Sequence, residues 1–197
     1  FDERVERCSE AVARASEKTG RGCLYFPNIT GPIEQVLARA IKAKNSGAGG
    51  VVVSPGIIGL DTMRMVAEDD SIALPVLFHP TLTGSFTVSP RAGISHGAFY
   101  GQISRMAGAD AAIFPSYGGR FSFSEEECRD VVGGTELQMG HIKSSFPVPA
   151  GGMSTSRIPE LKEFYGDDVI LLIGGDLHRH GPDLTQNCRE FVKLVSS

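Results

Sequence analysis

VILLIGGDLHRHG, residues 169–181, joins an unbroken apolar run to a pair of glycines and then packs Asp176, His178, Arg179 and His180 close together. Val169–Ile173 is too short for a helix and apolar at every position, the pattern of a strand buried on both faces. The same grammar appears in FPVPAGGMS, residues 146–154, where Phe146–Ala150 also ends in a glycine pair. Four more runs of this kind lie upstream: Cys23–Pro27, Gly50–Ser54, Pro75–His79 and Ala111–Pro115. Between the runs lie amphipathic segments. Glu3–Thr19 places Val5, Cys8, Val12 and Ala15 on one face and stops at Gly20; Pro32 opens a second segment with Ile33, Val36, Leu37, Ala40 and Ile41 inward, closed by Gly47. Leu60–Glu68, Arg91–Ala107, a helix opened by the capping-box spacing of Ser124 and Glu127, Arg157–Tyr165 and Asp183–Val195 complete the series. Strand and helix in alternation predict an α/β fold with a parallel sheet and right-handed crossovers. The runs start about every 23–36 residues, close to the ~31 per unit of a ~250-residue TIM barrel divided by eight. At that pitch the 197 residues hold six units. A (β/α)8 barrel would then take its first two strands from upstream, and an open sheet is the alternative.

The bulk properties narrow the function classes. The 41% hydrophobic content supports a sizeable core, and residues 1–197 read as one domain without an internal linker. A formal net charge of −4 with scattered basic residues offers no face for nucleic acid. No stretch has the length of a membrane span and no signal peptide opens the chain, so the expected location is cytoplasmic. Cys8, Cys23, Cys128 and Cys188 are widely spaced, which predicts reduced and mostly buried thiols rather than disulfides or a zinc site. The chain begins with Phe1, which suggests an incomplete N-terminus.

In parallel α/β folds ligands bind beyond the C-terminal ends of the strands. There His79 ends the third run in FHPTLTGS, and Gly118-Gly119 would let a loop carry Arg120 over a site after the fourth. Gly151, Gly152, Gly174 and Gly175 form two glycine pairs at adjacent final strands, able to bring backbone N–H groups to a phosphate. No P-loop lysine and no G-x-G-x-x-G accompany them. Asp176, His178 and His180 could instead suggest a metal, but a short flexible loop does not by itself build a coordination shell. The phosphate reading is preferred, with the acidic and imidazole groups as its rim.

Asn28-Ile29-Thr30-Gly31, GLDTMRMVAEDD, LPVLFHPTLTGS, MAGADAAIFPS, SFPVPAGGM and FYGDDVILLIGG together resemble, in order and over almost the whole chain, the C-terminal barrel of the RuBisCO superfamily large chain. The resemblance is greatest to the RuBisCO-like proteins that do not fix carbon. It implies that this chain supplies strands three to eight of a (β/α)8 barrel, with the family's N-terminal α+β domain and strands one and two preceding Phe1. It also implies a phosphorylated sugar-acid or ketose substrate with its phosphate on Gly151, Gly152, Gly174 and Gly175. Asn28 would join the substrate contacts, and His79 and Arg120 would be the catalytic positions. Pro80, Thr83, Ile113 and Ala150 stand where carboxylases carry an arginine, two histidines and a serine, so carboxylation is not expected. Where family members have a third glycine the chain has Asp176, which must turn outward or pair with Arg179 if a phosphate is to sit nearby. The family's Mg²⁺ is held by a carbamylated lysine and two carboxylates on strand two, none of them in this chain. The resemblance further implies a homodimer with a shared active site.

Enolisation beside a ketone is the chemistry the resemblance implies, with two branches. One is the enolase of methionine salvage acting on 2,3-diketo-5-methylthiopentyl-1-phosphate. The other cleaves a carbon–carbon bond in a phosphorylated keto sugar acid of the 3-oxo-isoapionate 4-phosphate type, as a decarboxylase or hydrolase. Arg120 tips the preference to the second, because a guanidinium forks onto a carboxylate. A non-catalytic fragment or sugar-phosphate-binding module is the third alternative.

Overall fold

The computed structural model describes residues 1–89 and 91–196. Its elements are α1 (Asp2–Thr19), α2 (Ile33–Asn45), β1 (Val51–Val53), α3 (Pro55–Ile58), α4 (Leu60–Glu68), β2 (Val76–Phe78) and α5 (Gly84–Thr87). A π-helical segment (Gly97–Ile103) runs into α6 (Ser104–Met106), followed by β3 (Ala111–Pro115), α7 (Glu125–Glu136) and β4 (Phe146–Ala150). A 3-10 turn (Thr155–Arg157) leads into α8 (Ile158–Tyr165), and α9 (Gly175–Arg179) and α10 (Leu184–Ser196) end the chain. The four strands form one parallel sheet in the order β1-β2-β3-β4.

Two of the six predicted strands are not regular strands, because prolines interrupt their ladders: Pro27 in the first run and Pro147 and Pro149 in β4 have no N–H to donate across. What remains is Val52 N donating to Pro27 O at 2.9 Å on one side, and Ile170 N to Pro147 O at 3.1 Å on the other. Both runs still follow the parallel register, so six extended segments lie side by side as an arc of a (β/α) barrel.

Alternation sorts the strand side chains onto two faces. Val51, Val53, Val76, Phe78, Ala112 and Phe114 join the main core beneath the helices. Ala111, Ile113, Val148 and Ala150, with Leu77 beside them, form a second cluster on the concave side. The helices follow their punctuation closely. Gly20 ends α1 in the left-handed region at φ 67°, and the Ser124–Glu127 capping box is complete, with the Ser124 side chain accepting from Glu127 N and the Glu127 side chain from Ser124 N.

Several expectations need correction. Ile33 and Ile41 are 63% and 39% exposed, so α2 turns a narrower face inward, through Val36, Ala40 and Ala43. Ala15 is also exposed, and the inward stripe of α1 is shorter than expected. Of the four cysteines only Cys128 is buried; Cys23 is exposed and Cys8 and Cys188 are intermediate. The expected helix Arg91–Ala107 starts late: residues 91–95 are irregular, and Pro90, just before them, lies outside the described residues. Its first half widens into the π-helical segment because it packs backbone to backbone on α7. A methyl group on Gly101 would lie 2.3 Å from Gly134 C, and one on Gly134 only 2.2 Å from Gly97 O. No helix among the described residues is long and apolar enough to cross a membrane.

Candidate functional site

The C-terminal ends of β2, β3 and β4 open on a cavity of about 750 Å³. His79 and Pro80 enter it from β2, Ile113 and Pro115 from β3, Ala150 and Gly151 from β4, and Leu172 from the last extended run. Its far wall is Thr83, Thr87, Val88, His96 and Tyr100, and the loop from Arg120 to Phe123 covers it. Pro80, Thr83, Ile113 and Ala150, the positions that the resemblance sets apart from carboxylases, come from three strand ends and all line this cavity.

His79 is held at both ends. Its backbone N donates to Val53 O at 2.7 Å, and its ring Nδ1 lies 2.7 Å from Thr81 Oγ1. The Thr81 hydroxyl donates onward to Ser54 Oγ at 3.4 Å, and Ser54 N donates to Thr30 Oγ1 at 2.9 Å, so one polar chain crosses three adjacent segment ends. The 2.7 Å distance serves either tautomer; with the Thr81 hydroxyl turned to Ser54, it accepts from His79 Nδ1–H. The other ring nitrogen, Nε2, then carries the lone pair. Partial burial pushes the imidazole below its ordinary pKa and favours the neutral ring. Thr83 Oγ1 donates to Pro80 O at 2.8 Å and lies 2.8 Å from Tyr100 Oη, so the Thr83 side chain ties the loop after β2 to the far wall.

The loop carrying Arg120 is docked rather than open. Arg120 N donates to Gly151 O at 3.0 Å, and the guanidinium lies over the Phe121 ring, 4.9 Å from its centroid. At the near end, Tyr117 Oη donates to Glu160 at 2.8 Å, while Arg157 donates to Glu160 and to Tyr117 O. That arginine holds the Glu160 carboxyl at about 2, and burial pushes the Tyr117 phenol up to about 12. At the far end Phe123 meets His96 edge-on at 4.4 Å, and His96 Nδ1 lies 3.6 Å from Glu127, the capping-box residue of α7.

The cavity therefore brings together His79, Arg120 and Gly151. Gly152, at φ 87°, does not line it and lies under the backbone of Arg120; Gly174 and Gly175 do not line it either and lead into the short helix α9. Asn28 is exposed and away from it, its side chain accepting from Thr30 N at 2.9 Å. Asp176 does not rely on Arg179, which is 3.8 Å away; its Oδ2 accepts from Thr155 N at 2.8 Å and Thr155 Oγ1 at 2.7 Å. His180 pairs with Glu190 at 3.2 Å, so the group 176–180 is spread over separate contacts. Sequence reasoning missed Thr81, His96, Tyr100 and Phe123. Only Thr81, two residues past a strand-end histidine, carried a local signal.

The Mg²⁺ implied by the resemblance finds no ligand set here: among the described residues no group of three or more His, Cys, Asp or Glu side chains could hold a metal ion. His79 and His96 are in the cavity wall with Glu127, but Glu127 is committed to the Ser124 cap.

Comparison with known proteins fits this architecture. Residues 1–185 match the family model described as the ribulose bisphosphate carboxylase large chain, catalytic domain. Ribulose bisphosphate carboxylase-like protein 1 of Rhodopseudomonas palustris is 36% identical over 197 residues, which is 100% of this chain and 52% of that protein. A putative 2,3-diketo-5-methylthiopentyl-1-phosphate enolase of Shouchella clausii is 34% identical, over 100% of this chain and 52% of that protein. The crystal structure of a rubisco-like protein from Alicyclobacillus acidocaldarius superposes with a TM-score of 0.90 at 30% identity, covering 98% of this chain and 49% of the other. The chain spans about half the length of the curated relatives it matches. The parallel arc, the strand-end cavity and the family match across 1–185 establish that this chain belongs to the RuBisCO large-chain family, among its RuBisCO-like proteins.

Proposed function

We propose that the protein carrying this chain is an enolase of the methionine-salvage type, acting on a phosphorylated diketone with an apolar methylthio end. The observation that carries the reading is the cavity wall: Pro80, Ile113, Ala150, Val88, Phe121 and Leu172 present hydrocarbon to it. An alkylthio group gains from such a surface, whereas a carboxylate or polyhydroxylated chain loses hydration there without a partner. The relative from Shouchella clausii, named for that enolase, supports the same choice. Arg120, which favoured a keto sugar acid on sequence grounds, argues less strongly for it in place, because its guanidinium lies on Phe121 at the rim.

In this reading the phosphate lies toward the backbone of Gly151, Gly152, Gly174 and Gly175, and the methylthio end toward Tyr100 and Phe123. His79 presents a neutral Nε2 that takes the proton from the carbon beside the ketone and returns it to the enolate oxygen, and Thr81 holds its tautomer. The docked loop excludes water from the enolate. Magnesium supplies Lewis-acid stabilisation in the family resemblance; the residues described here offer it no ligand set, and no step is assigned to it. Assembly as a homodimer belongs to the same proposal.

The test is turnover by the full-length protein, followed by the ultraviolet absorbance of the enol. Turnover of 2,3-diketo-5-methylthiopentyl-1-phosphate, reduced at least about 10²-fold in His79→Ala, is expected for a proton-transfer residue. Turnover of a phosphorylated keto sugar acid with none of the diketone would overturn the assignment.

A further inference from the structure

Asp176 directly follows the glycine pair at 174–175, and its carboxylate is tied to a loop 21 positions earlier. Both donors of Thr155 converge on a single oxygen: backbone N at 2.8 Å and Oγ1 at 2.7 Å. The carboxylate thus clasps the loop after the last extended run to the loop after β4, the two loops that carry the glycine pairs. It also takes up the amide that opens the helical run from Thr155 to Tyr165, removing that donor from any ligand. Its counter-charge is solvent-screened: Arg179, with its side chain 72% exposed, lies 3.8 Å away and reaches back beside Gly175, where a methyl group would stand 3.0 Å from its guanidinium, while the Asp176 side chain is 20% exposed and held. Hydrogen bonding from Thr155 keeps the carboxyl below the ordinary range, so it is charged at neutral pH.

A ligand phosphate on the Gly175 amide would meet this fixed charge one residue away. We propose that Asp176 is a specificity-determining residue of the glycine cradle, holding the two loops together while weakening the cradle for dianionic phosphate. The phosphate is then a modest anchor, and affinity for a phosphate monoester comes mainly from its apolar end in the neighbouring cavity. This rests on the reading of the glycine pairs as a phosphate cradle. At a separation on the order of 6–7 Å in water, one unit charge against a dianion corresponds to about tenfold in Kd.

Asp176→Asn and Asp176→Ala separate charge from clasp, because asparagine retains an oxygen that can accept from Thr155. Inorganic phosphate is titrated calorimetrically into the full-length protein and both variants at pH 8 and low salt, with thermal melts to establish folding. The expected result is that Asp176→Asn binds phosphate about tenfold more tightly than the parent, with the gain shrinking as salt is raised, and that Asp176→Ala gains less. Equal or weaker binding by a folded Asp176→Asn overturns the inference and leaves the cradle standing. Absence of phosphate binding by the parent and Asp176→Asn alike overturns the cradle, and the inference with it.

Discussion

Gly119→Ala tests whether the docked loop is part of the working site. A methyl group there would stand 2.2 Å from Gly151 O and 3.2 Å from Ser116 O, both backbone atoms that cannot swing aside. Restoring an ordinary contact moves the segment by about 1 Å, enough to break the 3.0 Å bond from Arg120 N to Gly151 O. The loop lies on the surface, so it can lift instead of straining the core. The stability cost is then close to one hydrogen bond and some loop packing, about 1–2 kcal/mol. Catalysis should suffer far more, since a misplacement of ~1 Å in a closing element costs about 10²-fold. Urea unfolding and turnover of the methylthio diketone by the full-length variant measure the two effects separately. Gly118→Ala disturbs the same loop from its near end: its methyl group would stand 2.7 Å from the Arg157 guanidinium that donates to Tyr117 O, and φ +63° adds strain of about 1–2 kcal/mol. Turnover within twofold of the parent in Gly119→Ala would refute the docked loop as a catalytic element.

Arg105 is 5% exposed and donates to four carbonyls, those of Lys143, Gly134, Leu137 and Ile142, at 2.8–3.2 Å. Arg105→Met keeps the stem and orphans those acceptors; chemical denaturation should show a loss of about 3–5 kcal/mol, and a loss below 1 kcal/mol would contradict the staple role. His79 titrates below the ordinary imidazole value, so on acidification the unfolded chain takes its proton first. Its contribution to stability is full above pH ~6.5 and is lost as the pH falls through the lowered folded pKa, an acid limb that His79→Gln should flatten in pH-dependent melts. Thr81→Val removes the partner of Nδ1, and nitrogen-15 shifts of the ring should report a mixture of tautomers in place of the Nδ1–H form. An unchanged tautomer would show that Thr81 does not set it.

What was legible in the sequence was whatever local chemistry decides. The Ser124–Glu127 cap and the Gly20 stop appear as read, because each is settled within a few residues. Four of the six runs are strands and the outer two are extended, since an apolar run specifies extension while a regular ladder needs the N–H donors that Pro27, Pro147 and Pro149 lack. The widened helix at 97–103 was not legible, because its cause is Gly134 on another helix. The same holds for the site. His79 could be found from its place at a strand end, but His96, Tyr100 and Phe123 reach the cavity only through the packing of α7 on the π-helical segment. Asp176 was seen as a charge in an awkward place; that Thr155, 21 positions earlier, would answer it depends on two loops meeting.

The substitutions around the cavity act together although they are distant in sequence. Pro80 follows β2, Ile113 lies within β3 and Ala150 ends β4, and each puts hydrocarbon where carboxylases of the resemblance place an arginine, a histidine or a serine. A charged group bound against these side chains would give up its hydration with nothing to replace it, a cost of several kcal/mol. On the proposed function, the polar end of the substrate is thereby directed toward His79 and the Gly151 backbone, and its apolar end toward Tyr100 and Phe123. Orientation in this cavity follows from where charge is excluded as much as from where it is bound. If the glycine pairs hold the phosphate as proposed, the fixed carboxylate of Asp176 extends that logic to the cradle itself and makes the hydrocarbon wall the larger source of selectivity.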